Sequence, residues 1–266
     1  MKIIKLLLSF ILILGIVIGI LYLTGSFGDS GTGGGSDPKT FAEQSSLLDD
    51  EWQTASWDIN LYKKGMIRLR QNEEALGEDG MKTLIDKLNE YAIPKLRNTM
   101  MKEFAKTDCN ASTIETLYKS LEELKSTTPG REKHEGIVEM SGTYKIYKEA
   151  MRLCSAKIAF NPGDGTNWTP LANQKKAYLD KRASIKSDPY YKFIQNITDI
   201  KNGLNTLDSR LNAAATNFKN DVAQRIIKKY SSRKESADEF FRVKSKFQHE
   251  FGSHSSLDNL ADQFLF

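Results

Sequence analysis

Apolar residues recur at alternating steps of three and four through most of the chain after its first 40 residues. The first such series is Phe41, Leu48, Trp52, Ala55, Ile59, Tyr62, Met66 and Leu69. These steps place side chains on one face of a helix, whereas a strand would alternate every second residue. Asp37 and Pro38 match a helix cap and a first helical residue, so the series predicts a helix that begins at Pro38.

Shorter helices are predicted behind it on the same grounds. Gly77 and Gly80 indicate a turn, and residues 81–104 then form a helix that Pro94 is expected to bend. Residues 112–124 predict a short helix with one apolar face. The clearest series follows it and contains Ile137, Met140, Tyr144, Tyr147, Met151, Cys154 and Ile158.

The last long series is an unbroken heptad pattern over residues 190–218. It contains Tyr190, Phe193, Ile197, Ile200, Leu204, Leu207, Leu211, Ala214 and Phe218. Its register slips at Val222, a stutter by pattern, and continues weakly as far as Phe251. Thr169-Pro170 and Asp188-Pro189 repeat the cap-then-proline start, and residues 161–168 (NPGDGTNW) predict a loop dense in turn formers.

Long helices with short loops and apolar seams fold back on one another as antiparallel bundles. We therefore predict an all-α fold, an antiparallel helical bundle of long heptad-patterned helices with Trp52 and the tyrosines in its core. Trp57 lies off the seam, and is expected either against another helix or exposed. Parallel self-association as a coiled coil is the alternative, but the prolines and the aromatic seam residues favour the intramolecular bundle.

The N-terminus predicts a membrane segment. Residues 6–27 carry no charge and residues 6–23 are almost wholly apolar, whereas the apolar part of a signal peptide spans roughly 7–15 residues. We predict that residues 1–25 form an uncleaved transmembrane anchor, and a cleaved signal peptide is the alternative. Lys2 and Lys5 precede the segment and acidic residues follow it, so both alternatives leave the bulk of the chain extracytoplasmic.

Three further segments follow the anchor. Residues 26–36 are mostly Gly, Ser and Thr and predict a flexible linker. Residues 37–254 are predicted to form the extracytoplasmic bundle domain, and residues 255–266 a C-terminal tail. The tail ends in apolar residues, so it either docks onto the bundle or serves as a short linear ligand for a partner.

Charge is distributed unevenly along the chain. Residues 29–90 hold 7 basic and 13 acidic side chains, and residues 171–251 hold 17 basic and 9 acidic ones. The acidic segment could pack beside the basic one within the fold. In the functional interpretation, a basic surface faces an envelope protein, anionic lipid head groups or an anionic wall polymer, and nucleic acid is not expected outside the cytoplasm. That predicted surface consists of Arg225, Lys228, Lys229, Arg233 and Lys234.

Cys109 and Cys154 are the two cysteines of the chain. An even number of cysteines in an oxidising compartment predicts a disulfide between them. Both could equally be buried thiols that act as small apolar residues.

No metal, cofactor or catalytic residue is predicted. His249 and His254 stand five residues apart with Gly252 between them, whereas a zinc-protease helix carries its two histidines four apart on one face. The 161–168 loop lacks the acidic ladder and closing Glu of a calcium loop, and no serine lies in a Gly-x-Ser-x-Gly turn.

These features predict a single-pass, membrane-anchored protein of the cell envelope that works as a binding, scaffold or adaptor module and is not an enzyme. A ligand-sensing or small-molecule-binding bundle is the alternative, since bundle cores can hold sites between helices. A cell-wall hydrolase is a third interpretation and would require a cleft with converging carboxylates.

Overall fold

Eleven α-helices make up the secondary structure of the residues that this computed structural model describes, which are 39–127, 133–232 and 236–265. Those ranges contain no strand, so the all-α prediction is confirmed for them. The helices are α1 Phe41–Trp52, α2 Ile59–Gln71, α3 Glu73–Phe104, α4 Ala111–Ser126, α5 Glu135–Ser155, α6 Leu171–Ser187, α7 Tyr191–Ile194, α8 Thr198–Asn205, α9 Leu207–Tyr230, α10 Ala237–Phe251 and α11 Ser255–Leu265.

The predicted anchor, linker and Asp37–Pro38 cap lie outside these described residues. Within the described ranges, no helix combines the length and the apolar character that crossing a bilayer requires. The chain from Phe41 onward forms one compact unit.

Helix α3 is the centre of the N-terminal half, since α1, α2, α4 and α5 all pack on it. Its apolar residues recur every three or four positions and face the core, where Leu84, Leu88, Leu96, Met100 and Phe104 are fully buried. Burying a side chain of this size contributes about 1.5–3 kcal/mol. In the C-terminal half, α6, α7 and α8 pack on α5, and α10 and α11 pack on α9.

The first predicted helix is in fact two helices. It begins at Phe41, beyond the predicted Pro38, and α1 ends at Trp52. The chain resumes helix at α2, where the Asp58 side chain accepts a hydrogen bond from the Asn60 backbone N–H at 2.8 Å. Aspartate is favoured at a helix N-cap because it satisfies a free backbone donor there. Trp57 lies in the break and packs between the rings of Trp52 and Tyr62, so it contacts the two seam residues on either side of the break.

The predicted unbroken helix over residues 190–218 is wrong, because the chain forms α7, α8 and the start of α9 there. Contacts with distant parts of the chain fix these breaks. The Tyr190 ring lies against Gly142 of α5, where a Cβ atom would stand 2.2 Å from Tyr190 Cε2. The Thr198 backbone N–H donates to the Thr107 carbonyl at 2.8 Å. Helix α9 continues through Val222 to Tyr230, as the stutter allows.

The predicted turn near Gly77 is a kink within α3. Gly77 has a φ of +67°, which favours glycine, and helix resumes after it through Gly80. Pro94 lies inside α3 with helical backbone angles.

The C-terminal tail docks onto the bundle as α11, the first of its two predicted alternatives. Leu257 and Leu260 are buried, and the Phe264 ring stacks on Phe240 with centroids 4.8 Å apart. Lys244 pairs with Asp258 at 2.7 Å. The residues from 255 therefore belong to the bundle's C-terminal half.

The acidic N-terminal segment finds cations close by in sequence. Asp49 pairs with Lys87 at 2.6 Å, and Glu51 pairs with Arg68 at 2.7 Å. These two carboxylates are therefore neutralised by cations of the same N-terminal segment, and not by the basic C-terminal segment.

Candidate functional site

An open groove of about 930 Å³ lies between the C-terminal part of α9 and the 161–168 loop. It is lined by Asp164, Asp221, Gln224, Arg225, Lys228 and Lys229. Three of the five predicted basic residues, Arg225, Lys228 and Lys229, thus meet in one groove, which we call the basic groove. Arg233 and Lys234 lie outside the residues that the structure describes.

The helical repeat explains why these three cations share a face. Positions three and four apart are neighbours on a helix surface, and the three cations follow that spacing. The adjacent face of α9 is buried, with Val222, Ile226 and Tyr230 in the core. Apolar anchoring of α9 therefore holds the cations toward the groove.

The loop reaches α9 because Gly165 has no side chain. Its φ is +85°, and a Cβ atom there would stand 2.6 Å from Arg225 Cβ and 3.0 Å from the Ile226 backbone nitrogen. The neighbouring Gly163 carbonyl accepts a hydrogen bond from Arg225 Nη1 at 2.7 Å. The loop thus orients the guanidinium of Arg225 through a neutral acceptor, which does not neutralise its positive charge.

The Asp164 carboxylate is committed to holding the loop. Its Oδ1 accepts hydrogen bonds at 2.8 Å from the backbone N–H groups of Thr166 and Asn167 and from the Thr166 hydroxyl. These bonds lower the pKa of Asp164 to about 2. A group that remains ionised so far into the acid range is poorly suited to donate a proton at neutral pH, and this carboxylate acts as a structural acceptor.

This bonding predicts an acid transition of the loop. Since the folded-state pKa of Asp164, about 2, is lower than the ordinary value of about 3.9, the bonds are complete above about pH 4 and are lost as the pH falls through 2. The amide resonances of Thr166 and Asn167 should titrate with a midpoint near 2. In Asp164→Asn, which keeps an acceptor that does not ionise, that transition should disappear. A midpoint near 4 in the wild-type chain would contradict the hydrogen-bond geometry.

Glu250 of α10 anchors the other end of the loop. Its Oε2 accepts from the Trp168 indole N–H at 2.5 Å, and its Oε1 accepts from the Leu171 backbone N–H at the start of α6. The Trp168 ring is 4% exposed, and the Lys246 ammonium lies 4.2 Å from its centroid. Glu250 is not recognisable from the sequence, because no local pattern connects it with a residue 82 positions away.

The three cations differ in how far their charge is already neutralised. Lys229 pairs with Glu239 at 3.2 Å, and the Tyr230 hydroxyl donates to the same carboxylate at 2.9 Å. These two hydrogen bonds lower the pKa of Glu239. Lys228 is exposed and its ammonium forms no ion pair within the described ranges. Lys228 and Arg225 therefore supply most of the positive charge in the basic groove.

The two cysteines are free thiols, and the predicted disulfide is not formed in the structure. Cys154 Sγ lies 3.6 Å from the Ile200 carbonyl, to which it can donate. Burial raises the pKa of Cys154, and burial followed by the nearby Glu103 raises that of Cys109 to about 11. Both thiols lie partly buried against the hydrophobic core.

The histidine pair belongs to the end of α10. The His254 ring packs edge-on to Phe247, with centroids 5.9 Å apart. The backbone carbonyl of His254 accepts a hydrogen bond from the Leu257 N–H at the start of α11. The described part of the chain contains no group of three His, Cys, Asp or Glu residues placed to hold a metal ion.

Comparison with known proteins supplies no relative for this chain. No protein-family model matches it, and neither the curated proteins nor the solved structures contain a match. The basic groove and its charges are therefore the basis on which a function can be proposed.

Proposed function

We propose that this protein is a membrane-anchored scaffold or adaptor of the cell envelope, whose extracytoplasmic bundle binds an anionic partner through the basic groove. The partner is a wall polymer or an acidic protein surface. The observation that carries this proposal is the convergence of Arg225, Lys228 and Lys229 with the 161–168 loop in one open groove.

Two properties of the groove support a binding role. Its walls come from a helix anchored by buried side chains and from a loop held at both ends, so the backbone of the groove needs little ordering when a partner arrives. Five of the six lining residues are charged, and the two carboxylates, Asp164 and Asp221, would disfavour a partner without a complementary charge pattern.

Charge reversal of the basic groove should abolish binding to a polyanion. Each Lys or Arg near an anionic surface contributes about 1 kcal/mol, so the combined Arg225→Glu, Lys228→Glu and Lys229→Glu variant should bind at least about 100-fold more weakly. The probe is a linear polyphosphate, titrated against the full chain in a non-ionic detergent. Binding by the wild-type chain should weaken as salt rises, since salt screens exposed charges.

A matched control carries the same change in net charge elsewhere. Lys102, Lys119 and Lys145 are exposed on α3, α4 and α5, and their reversal to Glu should leave most of the affinity intact. Equal losses in both variants would mean that binding follows net charge alone, which would remove the basic groove from the proposal.

The anchor is proposed from the sequence. In intact cells, a protease added outside should digest the bundle and leave the first residues protected. A mature N-terminus at or beyond Phe27 would favour the cleaved signal peptide and would leave the extracytoplasmic location unchanged.

A further inference from the structure

A second cleft lies between α5 and α6, beside Ala111 and Glu115 of α4, and shares no lining residue with the basic groove. It consists of two adjoining hollows of about 660 and 260 Å³, both lined by Arg152 of α5 and Lys181 of α6. Five of the nine residues that line the larger hollow are charged, whereas four of the six that line the smaller one are apolar or aromatic. We call the whole the α5–α6 cleft.

The charges of the larger hollow are only partly paired. Glu115 is occupied, since it pairs with Lys148 and accepts a hydrogen bond from the Tyr144 hydroxyl at 2.6 Å. Arg152, Lys181 and Glu149 form no side-chain hydrogen bond or ion pair within the described ranges. The cleft therefore offers two uncompensated cations and one uncompensated carboxylate.

The smaller hollow supplies an apolar surface next to the two cations. Leu153 is buried at its base, with Ala156 and Ala177 beside it. Tyr178 forms a wall and is held edge-on against the buried Phe160, with centroids 6.3 Å apart. An apolar group of modest size can occupy this space while an attached anion lies between Arg152 and Lys181.

We propose that the α5–α6 cleft binds the C-terminal end of a peptide whose last residue is apolar. The terminal carboxylate lies between Arg152 and Lys181, since a guanidinium binds carboxylates through paired hydrogen bonds. The last side chain fills the smaller hollow, and a backbone N–H of the peptide donates to Glu149. A fatty acid has the same carboxylate and an apolar body but no donor for Glu149, so the chemistry favours the peptide.

The test compares two peptides that differ only at the carboxylate. An acetylated, fluorescent Gly-Gly-Ser-Ala-Leu peptide is prepared as the free acid and as the C-terminal amide, and its anisotropy is followed with the full chain. Because hydrogen bonds to charged groups are strong, the acid should bind at least about ten-fold more tightly than the amide. The combined Arg152→Gln and Lys181→Gln variant should bind the acid no better than the amide.

Controls separate this cleft from the basic groove. The Lys82→Gln and Lys102→Gln variant removes the same charge from exposed sites on α3 and should bind the acid as the wild type does. The basic-groove variant should also retain peptide affinity, so the two proposals can fail separately. Circular dichroism verifies that each variant is folded.

Two results would overturn the proposal. They are equal affinity for acid and amide, and full affinity in the combined Arg152 and Lys181 variant. Displacement of the labelled peptide by decanoate at lower concentrations than the unlabelled acid would identify the cleft as a fatty-acid site and would equally reject the peptide.

Discussion

Replacing Trp168 with alanine should produce the largest loss of stability that we expect from a single change in the C-terminal half. The side chain is 4% exposed, its ring packs against Phe251 at 6.0 Å between centroids, and its indole N–H donates to Glu250. Truncating a buried tryptophan costs about 3–5 kcal/mol. In a domain of this size each kcal/mol lowers Tm by about 2–4 °C.

Two further variants identify which contact matters. Trp168→Phe keeps most of the ring packing and loses the hydrogen bond to Glu250, so it should cost only about 1–2 kcal/mol. Thr169→Ala alters the exposed neighbour and should stay within about 0.5 kcal/mol of the wild type. Urea unfolding followed by circular dichroism measures all three. A loss below about 1 kcal/mol in Trp168→Ala would show that the loop does not anchor α6 and α10 as described.

The second large effect is expected at Gly203, where α8 crosses α5. A Cβ atom at this position would stand 2.4 Å from both Cβ and Sγ of Cys154 and 3.1 Å from its Cα. Because backbone as well as side chain is in the way, the helices must separate. Gly203→Ala should therefore destabilise the fold by about 1–3 kcal/mol, although alanine is the better helix former.

Gly80→Ala serves as a control for this test, and Cys154→Gly as a compensating substitution. Gly80 also lies within a helix, but its nearest neighbours would be 3.6 Å from a Cβ atom, so Gly80→Ala should be neutral or stabilising by up to about 1 kcal/mol. Cys154→Gly removes the side-chain atoms that obstruct the methyl group introduced by Gly203→Ala, and the double variant should be more stable than the two single losses predict. Additive losses would contradict direct contact between these residues.

The helices that the sequence predicted correctly are those whose boundaries are set locally. Helix α4 starts where the Asn110 side chain accepts the Thr113 N–H at 3.0 Å, and its apolar residues point to one side. The breaks within residues 190–218 could not be predicted this way, because Tyr190 and Thr198 are positioned by contacts with distant residues. The break before α2 did carry a local signal, Asp58, which the continuing heptad pattern obscured.

The basic groove could be predicted only in part. The cations were visible as a cluster in the sequence, and helical spacing places Arg225, Lys228 and Lys229 together. The other wall was not visible, because the 161–168 loop reaches α9 through a close approach at Gly165 that depends on tertiary structure. The unpaired charges of the α5–α6 cleft could not be predicted either, because ion pairing depends on which helices become neighbours in the fold.

The central position of α3 has a consequence for how the chain acquires its structure. Helices α1, α2, α4 and α5 all pack on α3 and are close to it in sequence. Proteins rich in such contacts fold quickly, because little loop-closure entropy is lost before favourable packing begins. The N-terminal half can therefore complete its core before α9–α11 are available. This order suits the proposed export, in which the N-terminal half of the bundle would emerge from a translocation channel before the C-terminal half and bury its apolar surface as it emerges.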